Sequence, residues 1–271
     1  MSTDAQTPPV LQRLRQDIDA VDDQILELLL KRFDLGQAVA QAKRDMPPAP
    51  NMRPAREAEI LRRLASRWRG PAPVSTVAAI WRHIISTVLG LQGTFTVHLT
   101  DEDRDITPPL AANHFSAGAQ FRDHATYERA LAAAAGDLQS IAILALPKGN
   151  PPSPWWRALH QGPLRIVARL PFLTPSAASA FVVARQDAVA SGDDISLARI
   201  SGGGRAWSEA GALFPGFRLL ATDGDRYLAE QDGFWQAGDV HRFQAAVGPL
   251  TMEFHPIGAY ARPLQISRSS T

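Results

Sequence analysis

The chain has 271 residues and a nearly balanced charge, with 28 Lys and Arg against 27 Asp and Glu and no cysteine. This balance, without a basic stripe interleaved with aromatic residues, argues against a nucleic-acid partner, and the lack of cysteine excludes disulfides, thiol catalysis and cysteine-ligated metals. The length predicts two or three domains. The polar first ten residues and the absence of a continuous apolar run of membrane-spanning length predict a cytoplasmic protein with no signal peptide and no membrane partner.

The first predicted element is one long amphipathic helix over residues 10–44. Its apolar residues recur every three or four positions, which is the helical period. They are Leu11, Leu14, Ile18, Val21, Ile25, Leu28, Leu35 and Val39. Arg32 stands where the next apolar residue of this stripe would fall, and Lys43 is only about 20° away from it in helical phase. Because a cation on a core-facing side needs an opposite charge, the pair predicts a buried anion.

The spacing of the cations along this helix predicts the oligomeric state. Arg32 and Lys43 are ~16 Å apart, a span that two long side chains can close. Arg15 lies ~25 Å from Arg32, too far for both to hold one small molecule from the same helix. A helix this long and this apolar on one face also needs a partner. Both arguments predict a homodimer in which Arg15 reaches the site of a second, antiparallel copy.

Two further helices are predicted before residue 93. Pro47, Pro48 and Pro50 end the first helix, because proline cannot continue it. The second helix is predicted over residues 54–69, with a favourable first-turn proline, and the third over residues 74–92. Gly93 ends this all-helical part.

From residue 94 onward, predicted strands alternate with predicted helices. The strands are predicted at 94–100, 140–147 and 163–173, and the helices at 107–115, 126–136 and 155–160. Alternation of this kind predicts an open α/β layer.

The helical part resembles the all-helical class of chorismate mutases over residues 10–92. The resemblance is carried by Leu14-Arg15, Ile18-Asp19, Asp22, Ile25-Leu26, Leu28-Leu29, Arg32, Lys43, Arg56-Glu57 and Gln92. It implies a three-helix domain whose two protomers interlock into an intertwined dimer. Each of two pockets then takes one arginine from the first helix of the other copy, and Arg15 is the matching position.

The resemblance implies the rearrangement of chorismate to prephenate. This unimolecular pericyclic step needs no nucleophile, proton shuttle, metal or cofactor. It is helped by holding the substrate dianion in its compact reactive conformer and by placing charge where the breaking ether bond becomes polar.

The roles of five residues follow from the resemblance. Arg15 of the partner subunit and Arg32 are expected to pair with the two carboxylates, since a bidentate guanidinium suits a carboxylate. Lys43 and Gln92 are expected to donate to the ether oxygen. Glu57 is expected to take the ring hydroxyl.

Three more positions belong to the predicted substrate-binding set. Arg56 is expected to support a carboxylate. Arg53 stands where the family often has an acidic residue, and Val88 where it often has a serine. Each replacement removes a hydrogen bond to substrate, and Arg53 adds a cation at the rim. Because the main electrostatic set is retained, we expect mutase activity with weakened binding.

The rest of the chain resembles parts of prephenate dehydratases and of their ACT regulatory domain. Residues 121–150 resemble the first dehydratase lobe, with Pro147-Lys148-Gly149-Asn150 in place of the family's Pro-Ile-Glu-Asn. Residues 179–194 resemble the segment that closes the dehydratase. Residues 225–263 resemble the second half of an ACT domain, with its Gly-x-Tyr-x-x-Pro ending. A mutase followed by a dehydratase and an ACT domain is a known bifunctional order.

The sequence leaves no room for the second dehydratase lobe. Only about ten residues separate Leu170 from Phe181, whereas each βαβ unit takes ~30 residues. The family's Thr-Arg-Phe motif is replaced by Ser179-Ala180-Phe181, which lacks the arginine. We therefore expect dehydratase activity to be absent. The ACT effector motifs also lack clear counterparts, and the triple glycine at 202–204 is interpreted as a turn rather than an anion site.

These arguments predict a multidomain α and α/β protein. Its regions are a helical chorismate mutase domain at 8–92, a first-lobe-like α/β region at 93–178 and an ACT-like α+β region at 179–271. The predicted function is chorismate mutase in aromatic amino-acid biosynthesis. Two alternatives stay open: an isochorismate-pyruvate lyase, which shares the helical fold and a cationic pocket, and a non-catalytic regulatory protein of the same pathway, for which Arg53 and Val88 are the motivation.

Overall fold

The computed structural model describes residues 8–115, 118–160, 162–173 and 178–265. The chain forms two compact units, with the division between Pro47 and Pro48.

The first unit is built on a single helix, α1 (Pro9–Ala42), of 34 residues. Proline at its first position suits a helix start, because that N–H would have no partner in the helix anyway. Lys43 is the capping residue at the other end, and its backbone N–H donates to Val39 O at 3.2 Å. The predicted helix over 10–44 is confirmed.

The second unit contains two more helices and then a mixed α/β arrangement. The elements are α2 (Pro54–Arg67), α3 (Val74–Leu91), β1 (Thr96–Thr100), α4 (Thr107–Phe115), β2 (Gln120–His124), α5 (Tyr127–Gly136), β3 (Ser140–Ala145), β4 (Arg165–Leu170), β5 (Ala180–Ala184), β6 (Asp194–Ser201), α6 (Trp207–Ala210), β7 (Arg218–Asp223), β8 (Arg226–Asp232), α7 (Ala237–Val247) and β9 (Glu253–Ala261). The stretch predicted as a short helix at 155–160 is a 3₁₀ helix, Trp155–His160. The predicted order of a helical region followed by an α/β region is confirmed.

Nine strands of the described residues form one mixed sheet in the order β2-β1-β3-β5-β4-β9-β6-β8-β7. β1 pairs in parallel with β2 on one side and β3 on the other. β5 pairs antiparallel with both β3 and β4. β5 begins just after the predicted boundary at 178/179, yet it lies between two strands of the preceding region.

The four strands that close the chain form a second half of the sheet. β6, α6, β7, β8, α7 and β9 follow one another as βαββαβ, and the strands lie in the order β9-β6-β8-β7. This is the ferredoxin-like split βαβ arrangement. This α+β arrangement begins at β6.

The two halves of the sheet are joined where β4 and β9 approach each other closely. β4 pairs in parallel with β9 through Ile166 and Gly258. Gly258 has a φ of +146°, and a Cβ placed on it would lie 2.1 Å from the Ile166 carbonyl oxygen. Only glycine satisfies both conditions, so this residue is what allows the sheet to be continuous.

Both faces of the sheet are covered, as the alternation along β3 shows. Ile141 and Ile143 pack into a core with α3 and α4. Ala142 and Leu144 pack into another core with α5. Successive strand residues point to opposite faces, so each face of the sheet has its own hydrophobic core.

α2 and α3 belong to the same compact unit as the sheet, because their side chains pack against it. Leu61 and Ala78 share a core with Phe172. The Arg62 guanidinium donates to the Ser191 carbonyl at 2.9 Å and also to the Arg262 carbonyl at 3.2 Å. The predicted boundary after residue 92 therefore does not coincide with the boundary of the compact units.

Candidate functional site

Three of the predicted site residues lie in the first unit, on or next to α1. Arg15 is exposed, whereas Arg32 and Lys43 are half-buried. All three keep the helical spacing on which their prediction rests, since α1 is continuous from Pro9 to Ala42.

The apolar stripe of α1 is exposed in the single chain. Its eight members lie between 45% and 67% exposed. Gly36 is the buried residue of α1 in the described chain. An exposed apolar face of this length is unusual for a protein that stays monomeric, and marks a surface for association.

Arg53 and Arg56 lie at the beginning of α2 in the second unit, and both are exposed. Arg56 Nη1 forms an ion pair with Glu59 Oε2 at 2.8 Å. Both arginines line a cavity of about 470 Å³, together with residues 186–190 of the segment after β5. Its charged lining residues are Arg53, Arg56 and Glu59 of the α2 region and Asp187 of the segment after β5.

Glu57 points elsewhere, into a cluster with Arg82 of α3 and His114 of α4. Glu57 Oε2 lies 3.5 Å from His114 Nε2, and the side chains are 16% and 10% exposed. Arg82 Nη1 donates to His114 Nδ1. These residues line a small cavity of about 20 Å³, which is separate from the cavity lined by Arg53 and Arg56.

Burial controls the protonation state of the histidine in this cluster. Desolvation lowers the pKa of His114 below its ordinary value of 6.5, and the Arg82 cation lowers it further, while Glu57 acts in the opposite direction. His114 is therefore neutral at neutral pH.

Val88 and Gln92 lie at the end of α3. Val88 is buried, and Gln92 is the capping residue that follows the helix. The Gln92 side-chain amide lies 3.4 Å from the Val88 carbonyl, and the Gln92 carbonyl accepts from Asn51 Nδ2 at 3.5 Å. In the second unit the structure thus brings Arg53 and Arg56 to one cavity, Glu57 to another, and Gln92 to the loop before α2.

The residues at the positions of the dehydratase motifs take part in the packing and backbone hydrogen bonding of the sheet. Phe181 is fully buried in β5, and the Ser179 carbonyl accepts from the Leu146 N–H at 2.8 Å. Gly149 pairs with β7: its N–H donates to Leu220 O at 3.1 Å, and its carbonyl accepts from Thr222 N at 2.6 Å.

The triple glycine forms a turn, as predicted. Gly203 and Gly204 have positive φ values of +58° and +84°. The N–H of Gly204 donates to the Asp225 carboxylate at 2.9 Å. This backbone donor is satisfied by a carboxylate of the protein itself.

The contacts of three residues of the site region were not predicted from the sequence. Arg82 carried one signal, a single cation in the middle of an otherwise apolar stretch of helix. His114 carried none, because its neighbours Glu57 and Arg82 are distant in sequence. Arg62 likewise gives no local sign that it binds the carbonyls of residues after β5.

Two general features complete the description of the site region. In the described ranges, no group of three or more His, Asp or Glu side chains is placed to hold a metal ion. α3 is long and apolar enough to cross a membrane by length and composition, with a mean hydropathy of 1.4 over 18 residues. One such helix is weak evidence, since core helices of soluble proteins have the same composition, and α3 has Arg82 and His83 at its centre.

Residues 14–93 match the family model of chorismate mutase type II. The match contains every predicted site residue, from Arg15 to Gln92. The prediction of a chorismate mutase region at the N-terminal side of the chain is confirmed.

Curated relatives of part of the chain are described as bifunctional enzymes. The bifunctional chorismate mutase/prephenate dehydratase of Neisseria gonorrhoeae is 31% identical over 101 residues, which cover 37% of this chain and 27% of that protein. The protein of the same description from Pseudomonas aeruginosa is 33% identical over 109 residues, covering 39% and 30%. The matched segment thus spans less than a third of either relative.

Comparison with solved structures gives matches to prephenate dehydratases with TM-scores below 0.5. The structure from Streptococcus mutans is 13% identical, with a TM-score of 0.45, and the match covers 64% of this chain and 100% of that chain. The structure from Arthrobacter aurescens in complex with L-Phe is 10% identical, with a TM-score of 0.41, covering 62% and 90%.

Proposed function

We propose that this chain is a chorismate mutase that rearranges chorismate to prephenate and does not dehydrate the product. The observation that carries the proposal is the chorismate mutase type II match over residues 14–93. Within it stand the cations and polar groups that this reaction needs.

The proposed chemistry is electrostatic. Arg32 and Lys43 are half-buried on one side of α1. There, a charge attracts an opposite charge more strongly than it does in bulk water. Arg32 pairs with a substrate carboxylate, and Lys43 donates to the ether oxygen as the bond breaks. Gln92 donates to the same oxygen, and Glu57 accepts from the ring hydroxyl. No proton leaves the substrate, so the groups act by placing charge and by holding the reactive conformer.

The proposal includes a homodimer that shares its sites. The exposed stripe of α1 supports it, because eight apolar side chains on one 34-residue helix need a cover. A second copy of the chain can cover this stripe with the same stripe of its own α1, because a twofold interface brings the same surface of both subunits into contact. In such a dimer, Arg15 of the partner subunit reaches the second carboxylate of chorismate.

The lack of dehydratase activity is supported by the connection after β4. β4 ends at Leu170 and β5 begins at Ala180, and both strands lie in the one nine-stranded sheet of the described residues. A short connection of this kind holds no second α/β lobe. Ala180, at the position of the family's arginine, is fully buried and has no group that could act on prephenate.

The test is turnover of chorismate by the purified full chain, in parallel with isochorismate. We expect chorismate to disappear and prephenate to form, with no release of pyruvate from isochorismate. Pyruvate release would instead establish the lyase alternative. A folded protein that turns over neither compound would contradict an enzymatic role and support the regulatory alternative.

Cytoplasmic location is part of the same proposal, since the substrate belongs to amino-acid biosynthesis.

A further inference from the structure

Glu57, Arg82 and His114 form a chain of contacts between three helices. Arg82 Nη1 donates to His114 Nδ1, and His114 Nε2 lies 3.5 Å from Glu57 Oε2. His114 belongs to α4, which follows the first strand of the α/β part, whereas Glu57 belongs to the region that matches the mutase family. The α/β part therefore contacts a predicted catalytic residue directly.

The hydrogen-bonding capacity of arginine determines how His114 is protonated. A guanidinium only donates, so Nδ1 of His114 must be the acceptor. Because burial and the Arg82 cation keep His114 neutral, its one ring proton is on Nε2. The Nε2–H group then faces the Glu57 carboxylate across 3.5 Å, and contacts of catalytic groups are often long before substrate binds.

Glu57 is the anionic member of the cluster. The charged and titratable groups beside His114 are Glu57 on α2, Arg82 and His83 on α3, and Arg169 on β4. Glu57 is the one carboxylate among the described residues that line these cavities. Its described contact within the second unit involves Oε2.

We infer that His114 and Arg82 are positioning residues for Glu57, which they hold so that Oε1 of its carboxylate meets the ring hydroxyl of the substrate. Arg82 orients the imidazole through Nδ1, and the imidazole orients the carboxylate through Nε2–H. This inference rests on the proposed mutase function. Its consequence is that the α/β part supplies a component of the mutase site and is needed for full activity.

Two substitutions at His114 separate its two contacts. His114→Asn keeps an acceptor near the place of Nδ1 but cannot reach Glu57, whereas His114→Gln keeps a donor near the place of Nε2. We expect His114→Asn to lower kcat/KM for chorismate by roughly 10- to 100-fold, because a displaced catalytic group costs rates of this order. His114→Gln should recover most of the loss. His83→Asn, at an exposed histidine next to Arg82, is the matched control and should stay near wild type.

A double-mutant cycle with Glu57 tests whether His114 acts through it. If it does, His114→Asn should change kcat/KM by less than about twofold in a Glu57→Ala background, since the group that it positions is gone. A structural role for His114 predicts the same loss in both backgrounds. Additive losses, or wild-type activity of His114→Asn, would overturn the inference.

Nitrogen-15 NMR of histidine side chains tests the geometry in the unmodified chain, even if His114→Asn does not fold. At pH 7.5 we expect the His114 signals, assigned by their loss in His114→Gln, to be those of the neutral Nε2–H tautomer. An Nδ1–H tautomer or an imidazolium would overturn the inference. Wild-type turnover of chorismate is measured first: its absence contradicts the proposed function and this inference together, whereas normal turnover with an unaffected His114→Asn contradicts this inference alone.

Discussion

At the scale of single residues, the cations of α1 carry the proposed chemistry. Arg32 and Lys43 are both half-buried, and Arg32 stands in line with the apolar stripe of α1. The proposed substrate brings two carboxylates, which cationic side chains bind through charge-assisted hydrogen bonds. In this proposal the two cations serve substrate binding and the rate of the reaction, and they contribute little to the stability of the fold.

Arg32→Ala and Lys43→Ala should each lower kcat/KM for chorismate by about 10²–10³, the usual cost of removing a donor to developing charge. The measurement is initial-rate kinetics on variants whose far-ultraviolet circular dichroism matches wild type. Lys31→Ala, at an exposed lysine beside Arg32, is the control and should keep its activity. A Lys43→Ala variant with near-normal turnover would contradict the assignment.

A second residue-scale prediction concerns stability and pH. His98 on β1 lies 2.9 Å from His124 on β2 through Nδ1 and Nε2, and burial first, then the charges of His124 and Arg122, lower its pKa to about 4. Between pH 6.5 and 4 the unfolded chain binds a proton at His98 that the folded chain does not. The contribution of neutral His98 to the free energy of unfolding is therefore fully present above about pH 6.5. It is lost as the pH falls toward 4, by about 1–2 kcal/mol between pH 7.5 and 5.

Urea unfolding at pH 7.5 and pH 5 measures this loss. In His98→Asn, which has no proton to bind at this position, the difference between the two pH values should shrink by that amount. Parallel losses in wild type and variant would show that His98 is not the cause.

At the scale of the elements, the junction between β4 and β9 is where the fold is most sensitive. Gly258→Ala introduces a Cβ at a φ of +146° and against the backbone of Ile166. We expect a loss of at least ~2 kcal/mol in the free energy of unfolding, from backbone strain and overpacking. Gly238→Ala in α7, where a Cβ meets nothing within 4 Å, should instead stabilise by ~0.5 kcal/mol. Equal effects of the two substitutions in denaturant unfolding would refute the role of this junction.

The elements also show which parts of the fold were predictable from sequence. α1 was predicted within two residues at each end, because its apolar residues repeat at the helical period over many turns. β2 was not predicted as a strand, because QFRDH is polar, and four of its five residues are exposed. The continuous sheet was not predictable either, since the pairing of Ile166 with Gly258 joins residues that are far apart in the chain.

The residues of the candidate site were also predictable from sequence only in part. Arg15, Arg32, Lys43, Glu57 and Gln92 could be named because they stand at fixed offsets in a recognisable pattern. The cluster of Glu57 with Arg82 and His114 could not, because three helices must pack before these side chains meet. Sequence identifies the residues of a local motif, whereas the partners that orient them depend on tertiary structure.

At the scale of the whole molecule, the proposed dimer makes a prediction about mixtures. Arg15→Ala and Arg32→Ala should each be inactive alone. In a mixed dimer, one of the two pockets receives both native arginines. Exchange of subunits should therefore restore roughly a quarter of wild-type activity, since half of randomly formed dimers are mixed and half of their pockets are complete. Mixtures in which exchange is demonstrated but no activity returns would exclude a shared pocket.

At the same scale, the α/β part needs a role, because it is joined in one chain to the region that matches the mutase family. We assign it a supporting role through His114, and no reaction of its own. The two halves of the sheet share cores and a continuous backbone, so this part is a stable body to which α2 and α3 are attached. The mutase region can therefore depend on the α/β part without any chemistry occurring there.

The most direct measurement is proton NMR of chorismate incubated with the purified 271-residue chain until the reaction is complete, beside a heat-inactivated control. The account predicts that prephenate forms faster than in the control and then accumulates, apart from its slow spontaneous decay. Enzyme-dependent formation of phenylpyruvate, or a rate of chorismate loss equal to that of the control, would contradict it.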